Sequence, residues 1–107
     1  MKEIDAPMVD RIVERFRALG DATRIRILVR LQAGKCNVTT LAQELGAKQA
    51  SMSKHLAVLR NVGFIEMKRV GAQAFCSALD PALPTLCRLM CDGIVRHAKQ
   101  QRKLLGL

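Results

Sequence analysis

Two thiols stand four residues apart in "LCRLMCDG", at Cys87 and Cys91. On a helix that spacing puts both sulfurs on one face, one turn apart, with about 5–6 Å between Cβ atoms. A pair so placed suits a soft thiophilic ion such as As(III), Sb(III), Cd(II) or Cu(I), given a third donor. Cys36 and Cys76 are the candidate third donors. The same pair supports a regulatory disulfide or polysulfide link under oxidant or sulfide, in the positive surroundings that Arg88 helps supply. A third reading is plain packing, because free Cys often behaves as a small hydrophobe. The residues leave these three readings open, and Cys76, beside Phe75 and small neighbours, reads first as a strand packing residue. There is no CxxC to make a zinc ribbon or a thioredoxin-type motif. Asp92 and His97, five residues apart, are poorly spaced to share one helical face. No resident cofactor is called for.

A second group of residues points to a polyanion. The 107-residue chain carries 18 Lys and Arg against nine Asp and Glu, a net charge of +9 and a pI near 10.2. Nucleic acid is the simplest partner for that excess. Trp and Tyr are absent and Phe occurs three times, which argues against RNA or single-strand readers built on aromatic stacking. An enzyme is disfavoured too. No Gly-rich phosphate loop or nucleophile elbow occurs, and neither His55 nor His97 has a nucleophilic partner nearby in sequence. The four Cys then read as reduced thiols of a cytoplasmic protein. The opening "MKEIDAPMVDRIVERF" is too charged for a signal peptide, and no apolar run nears the roughly 20 residues of a membrane span.

The elements that position these residues follow from apolar spacing. Val9, Ile12, Val13, Phe16 and Leu19 predict an amphipathic helix ended near Gly20. Asp21 or Thr23 caps a second helix, with Ile25, Leu28, Val29 and Leu31 inward and Arg24, Arg26 and Arg30 in solvent. Asn37 or Thr39 caps a short third helix through Leu45. "LGAKQAS" supplies the turn to a fourth helix over about Lys48–Asn61, with Met52, Leu56 and Leu59 inward and Gly63 as its stop. "FIEMKRV" alternates with period two, "GAQ" turns the chain, and "AFCSAL" returns as a second strand. Asp80-Pro81 leads into a last helix over roughly 81–105.

This order is that of a winged helix-turn-helix, mainly α with a two-stranded wing, in a single domain over 1–107. A basic helix followed at once by a Gly-tipped hairpin gives two DNA-contacting elements end to end: the helix for the major groove, the hairpin for the backbone or minor groove. Gln49, Ser51, Ser53 and Lys54, with Lys48 beside them, are the candidates for base edges or nearby phosphates. Arg60, Lys68, Arg69 and Gln73 are candidates for phosphate contacts that position without specifying. His55 reads equally as a half-buried packing residue or a phosphate contact. A DNA-binding protein with no ligand is the rival reading to a sensor.

The segments "ALGDATRIRIL" (18–28), "VTTLAQELGAKQASMSKHLAVLRNVGFIE" (38–66) and "RVGAQAF" (69–75) resemble the ArsR/SmtB family of bacterial metal- and thiol-responsive repressors. The resemblance implies a homodimer through the first and last helices. It also implies an inverted-repeat operator in double-stranded DNA, and release when an inducer binds. Where many of the family carry "CVC" at the start of the third helix, this chain has Asn37 and Thr39, with Cys36 one residue earlier. The family's zinc ligands on the last helix have no match here. The apolar stripe Leu83, Leu86, Met90 and Ile94 independently supports a dimer, since a small core cannot cover it.

Overall fold

The computed structural model describes residues 3–107. Helix α1 (Ala6–Leu19) begins at Asp5, whose carboxylate accepts from the Met8 N–H at 2.9 Å. Helix α2 (Ala22–Leu31) begins at Asp21, which accepts from the Arg24 N–H at 3.1 Å. Asn37 ends a two-residue strand β1 (Cys36–Asn37) and caps α3 (Val38–Leu45). Its Oδ1 accepts from the N–H groups of Thr39 and Thr40 at 2.7 and 3.3 Å.

Helix α4 (Gln49–Asn61) buries Met52, Leu56 and Leu59 completely. It ends in a Schellman turn. The Phe64 N–H reaches Leu59 O and the Gly63 N–H reaches Arg60 O, both at 3.0 Å, with Gly63 at φ 82°. A side chain at that φ is strained, so Gly63 lets the chain leave the helix and enter β2 (Ile65–Val70) within two residues. Gly71, at φ 63°, makes the wing tip before β3 (Gln73–Ala78). Val70 and Gln73 pair across a Gly71-Ala72 loop, so the turn is shorter than the predicted "GAQ" and Gln73 belongs to the strand.

The sheet has three strands, in the order β1-β3-β2, all antiparallel. The sequence predicted two. The extra strand pairs Cys36 with Cys76 and Asn37 with Phe75, which anchors the start of α3 to the root of the wing. The core lies between α2, α3, α4 and one face of this sheet. In α2 it takes Ile27, Leu28 and Leu31. Val29, predicted inward, is 59% exposed, because the helix turns Ile27 to the core and Val29 to the outside.

Helix α5 (Leu83–Leu104) gives the core only Leu83. Asp80 forms the turn that leads into it, with Oδ1 accepting from the Ala82 N–H at 2.9 Å and Oδ2 from Arg15 of α1 at 2.7 Å. The Arg15 guanidinium also stacks 4.3 Å above the Phe64 ring, which fastens α1 to the hairpin root. Beyond that anchor α5 runs on for about 33 Å at 1.5 Å per residue. The Cα radius of gyration is 16.9 Å, against about 13 Å for a compact chain of this length. The excess comes with apolar faces left open on α1 and α5: Val9, Val13 and Phe16 on the first, Met90 and Ile94 on the second.

Candidate nucleic-acid interface

Three pieces of chain converge on one polar concavity of about 500 Å³. The first turn of α3 brings Thr39 and Thr40, α4 brings Gln49 and Ser53, and the wing brings Arg69 and Gln73. The Schellman turn at Gly63 sets this geometry, since it fixes how sharply the wing folds back beside α4. Four of the residues singled out in the sequence therefore share one surface. Lys48, just before α4, and Ser51, Lys54 and Arg60 elsewhere on it are exposed, and Lys68 is exposed on the wing with Glu66 at 3.5 Å.

Thr39 and Thr40 escaped the sequence reading. They look like capping residues, yet Asn37 does the capping, which leaves both exposed beside the α4 residues. A second polar residue just after a cap is the signal that marks them.

The charge here is more one-sided than the sequence count implies. Residues 45–80 hold five cations and two acids. One of those acids, Asp80, is spent on Ala82 and Arg15, whose hydrogen bonds lower its pKa below 3.8. Only Glu66 then opposes Lys48, Lys54, Arg60, Lys68 and Arg69 within that stretch.

His55 is half-buried on the side of α4 toward α2. Its Nδ1 lies 3.2 Å from an Arg24 guanidinium nitrogen and 3.9 Å from the Asp21 carboxylate. Arg24, predicted to stay in solvent, instead donates from Nε to Ala18 O at 2.6 Å and from Nη2 to Arg17 O at 3.1 Å. The carbonyls at the end of α1 need donors, and Arg24 supplies them.

The thiols fall into two separate pairs. Cys36 and Cys76 oppose each other across β1 and β3 and are buried. Burial, with Cys36 nearby, pushes the Cys76 thiol up to about 11. Cys87 and Cys91 line an apolar groove of about 470 Å³ with Phe16, Leu19, Ile25, Val29 and Met90. Neither Cys36 nor Cys76 lines that groove, so the structure does not bring the predicted third donors to the α5 pair. Among the described residues no group of three His, Cys, Asp or Glu side chains is placed to hold a metal ion. A thiol reagent at neutral pH is expected to modify no more than two sulfurs per native chain, and four once the chain is unfolded. A native count of three or four would contradict the buried sheet pair.

Comparison with known proteins agrees with this architecture. Residues 21–67 match the bacterial regulatory protein arsR family. The transcriptional regulator NmtR of Mycobacterium tuberculosis is 32% identical over 96 residues, a match covering 90% of this chain and 77% of NmtR. The chain belongs to the ArsR family. As an ArsR-family member it is a transcriptional regulator with a DNA-binding winged helix, and not an enzyme. A probable mercury resistance operon repressor of Streptomyces lividans is 29% identical over 87 residues, covering 81% of this ArsR-family chain and 70% of that protein. Among solved structures, a homodimeric winged helix-turn-helix DNA-binding domain from Mycobacterium bovis superposes with a TM-score of 0.78 at 23% identity. That match covers 91% of this chain and 93% of the other. Among the described residues, no helix is long and apolar enough to cross a membrane.

Proposed function

We propose that the protein is a cytoplasmic homodimeric repressor that holds an imperfect inverted repeat of double-stranded DNA and releases it when a thiol-directed inducer engages Cys87 and Cys91. The observation that carries the DNA-binding arrangement is the concavity joining Gln49, Ser53, Arg69 and Gln73 to the start of α3. Gln49 and Ser53 are at the end of α4 that enters the major groove, and Arg69 and Gln73 follow the backbone beside it. His55, already held by Arg24, serves packing in this reading.

The open faces of α1 and α5 support the dimer. Exposed apolar patches of this extent are the mark of an interface, and the homodimeric state of the Mycobacterium bovis domain is in keeping with it. Two copies related by a two-fold axis would set their α4 helices about one DNA turn apart, roughly 34–36 Å.

The inducer reading rests on the groove. A soft ion such as As(III), Sb(III), Cd(II) or Cu(I) bound by Cys87 and Cys91 would take its third donor from solvent or from the second copy. A mercury-related repressor among the relatives favours this class of ligand. The absence of a third donor in the chain's described residues favours instead an oxidant or reactive-sulfur signal, which needs only two thiols. In either case the signal acts by linkage. An inducer that prefers the unbound dimer geometry, with a coupling of about 1–3 kcal/mol, loosens the operator roughly 5–150-fold.

The test starts from a duplex selected from a random library by the wild-type protein. Its affinity is then measured with and without arsenite, Cd(II), diamide and polysulfide, for wild type, Cys87→Ser and Cys91→Ser. The proposal expects at least one agent to weaken wild-type binding, and both variants to bind DNA normally but ignore that agent. A wild type indifferent to all four agents would overturn the thiol-directed inducer and leave a repressor with another inducer or none.

A further inference from the structure

We infer that Arg24 is a positioning residue that ties α1 to the DNA-reading helix α4, so that the angle of α4 follows the helix on which the dimer is built. The inference rests on the reading of α4 as the recognition helix and α1 as part of the dimer face.

The geometry is specific. One guanidinium serves three acceptors on two elements: Ala18 O at 2.6 Å and Arg17 O at 3.1 Å at the end of α1, and His55 Nδ1 at 3.2 Å on α4. The planar fork of Arg suits such a bridge, and Lys could not reproduce it. A cleft of about 390 Å³ runs alongside, lined by Glu14, Arg17 and Ala18 of α1, Val58 and Asn61 of α4, and Arg24 itself. Beside that opening, the two helices are joined by hydrogen bonds through Arg24.

Asp21 completes the arrangement. Its carboxylate caps α2 through the Arg24 N–H, and that bond, with the Arg24 guanidinium nearby, holds its pKa below 3.8. The backbone of Arg24 is thus pinned by Asp21 while its side chain reaches both neighbours. Since a guanidinium only donates, Nδ1 of His55 is the accepting atom of this hydrogen bond. A shift of α1 relative to α2 that keeps Arg24 on the Ala18 and Arg17 carbonyls must then either drag it off His55 or move α4 with it. This gives a physical route from the dimer face to the DNA face, through one side chain.

The test uses the duplex selected by wild type together with a random duplex, and compares His55→Leu, His55→Asn, Arg24→Gln and the Arg24→Gln/His55→Leu double variant. Melting temperature and dimerisation are followed in parallel. His55→Leu fills the half-buried site without an acceptor, so it should weaken selected-duplex binding about tenfold and leave random-duplex binding unchanged. Asn offers an acceptor close to the Nδ1 position and should recover most of that loss. The double variant should bind the selected duplex no worse than Arg24→Gln alone, because both changes remove one interaction. Equal losses on both duplexes would make His55 a phosphate contact and overturn the inference, as would additive losses or a Leu variant equal to the Asn variant. Failure of wild type to enrich any duplex would remove the DNA-reading account, and this inference with it.

Discussion

With Met90 and Ile94 both replaced by Glu, the protein is expected to sediment as a monomer and to lose at least about a thousandfold in affinity for its selected duplex. Both side chains are exposed in the single chain, at 58% and 63%, so the substitutions leave the fold's own core untouched. They fall on the stripe of α5 that also carries Leu86 and the groove thiols. In a two-fold dimer each substitution appears twice, which puts four carboxylates into a buried apolar contact. The effective penalty for burying an unpaired charge is several kcal/mol per ion, more than an interface of this kind can absorb. Separated copies would each present one α4, and binding would fall toward the non-specific level, typically about 10³–10⁷ weaker than specific binding. Sedimentation and a fluorescence binding titration check both halves. A double variant that stayed dimeric with full affinity would show that α5 is not the contact.

The second large effect is ionic. Raising salt from about 50 to 200 mM is expected to weaken operator binding by about 10³–10⁵, the range for 6–10 phosphate contacts. Lys48, Lys54, Arg60, Lys68 and Arg69 are all exposed, so a dimer has enough cations for such a count. Two substitutions should separate positioning from reading. Arg69→Ala should weaken selected and random duplexes alike and flatten the salt slope by about one contact per copy. Gln49→Ala should leave the slope alone and lower discrimination at its base pair by about 1–3 kcal/mol per half-site. Affinity titrations across a salt series give both numbers. Identical slopes for wild type and Arg69→Ala would take Arg69 off the backbone.

The order of helices and the wing could be read in the sequence because each has a local cause. Asp21 and Asn37 cap their helices within three residues, Gly63 and Gly71 sit where the backbone needs positive φ, and Met52, Leu56 and Leu59 repeat at helical spacing. Strand β1 was not legible, since two residues have no period and Asn37 already had a role as a cap. In α2 the run "IRILVRL" holds apolar side chains on nearly every side, so its phase is decided by packing and Val29 was assigned inward wrongly.

The candidate site divides along the same line. Gln49, Ser53, Arg69 and Gln73, which share one concavity, could be proposed from sequence because α4 and the wing each show their outer face there. Thr39 and Thr40 were missed because the surface they join is made by three segments meeting in space. Arg24 was read as solvated because its partner His55 lies 31 residues away, and no local pattern encodes that contact. The grouping of four cysteines into a buried sheet pair and a groove pair likewise depends on the register of β1 against β3.

A guanine-methylation interference experiment on the selected duplex tests the central claim most directly, because the modified N7 atoms lie in the major groove. Two copies inserting α4 into successive turns predict two interfering patches on one face of the duplex, about 10–10.5 base pairs apart. One patch alone, or two at a spacing that puts them on opposite faces, would contradict it.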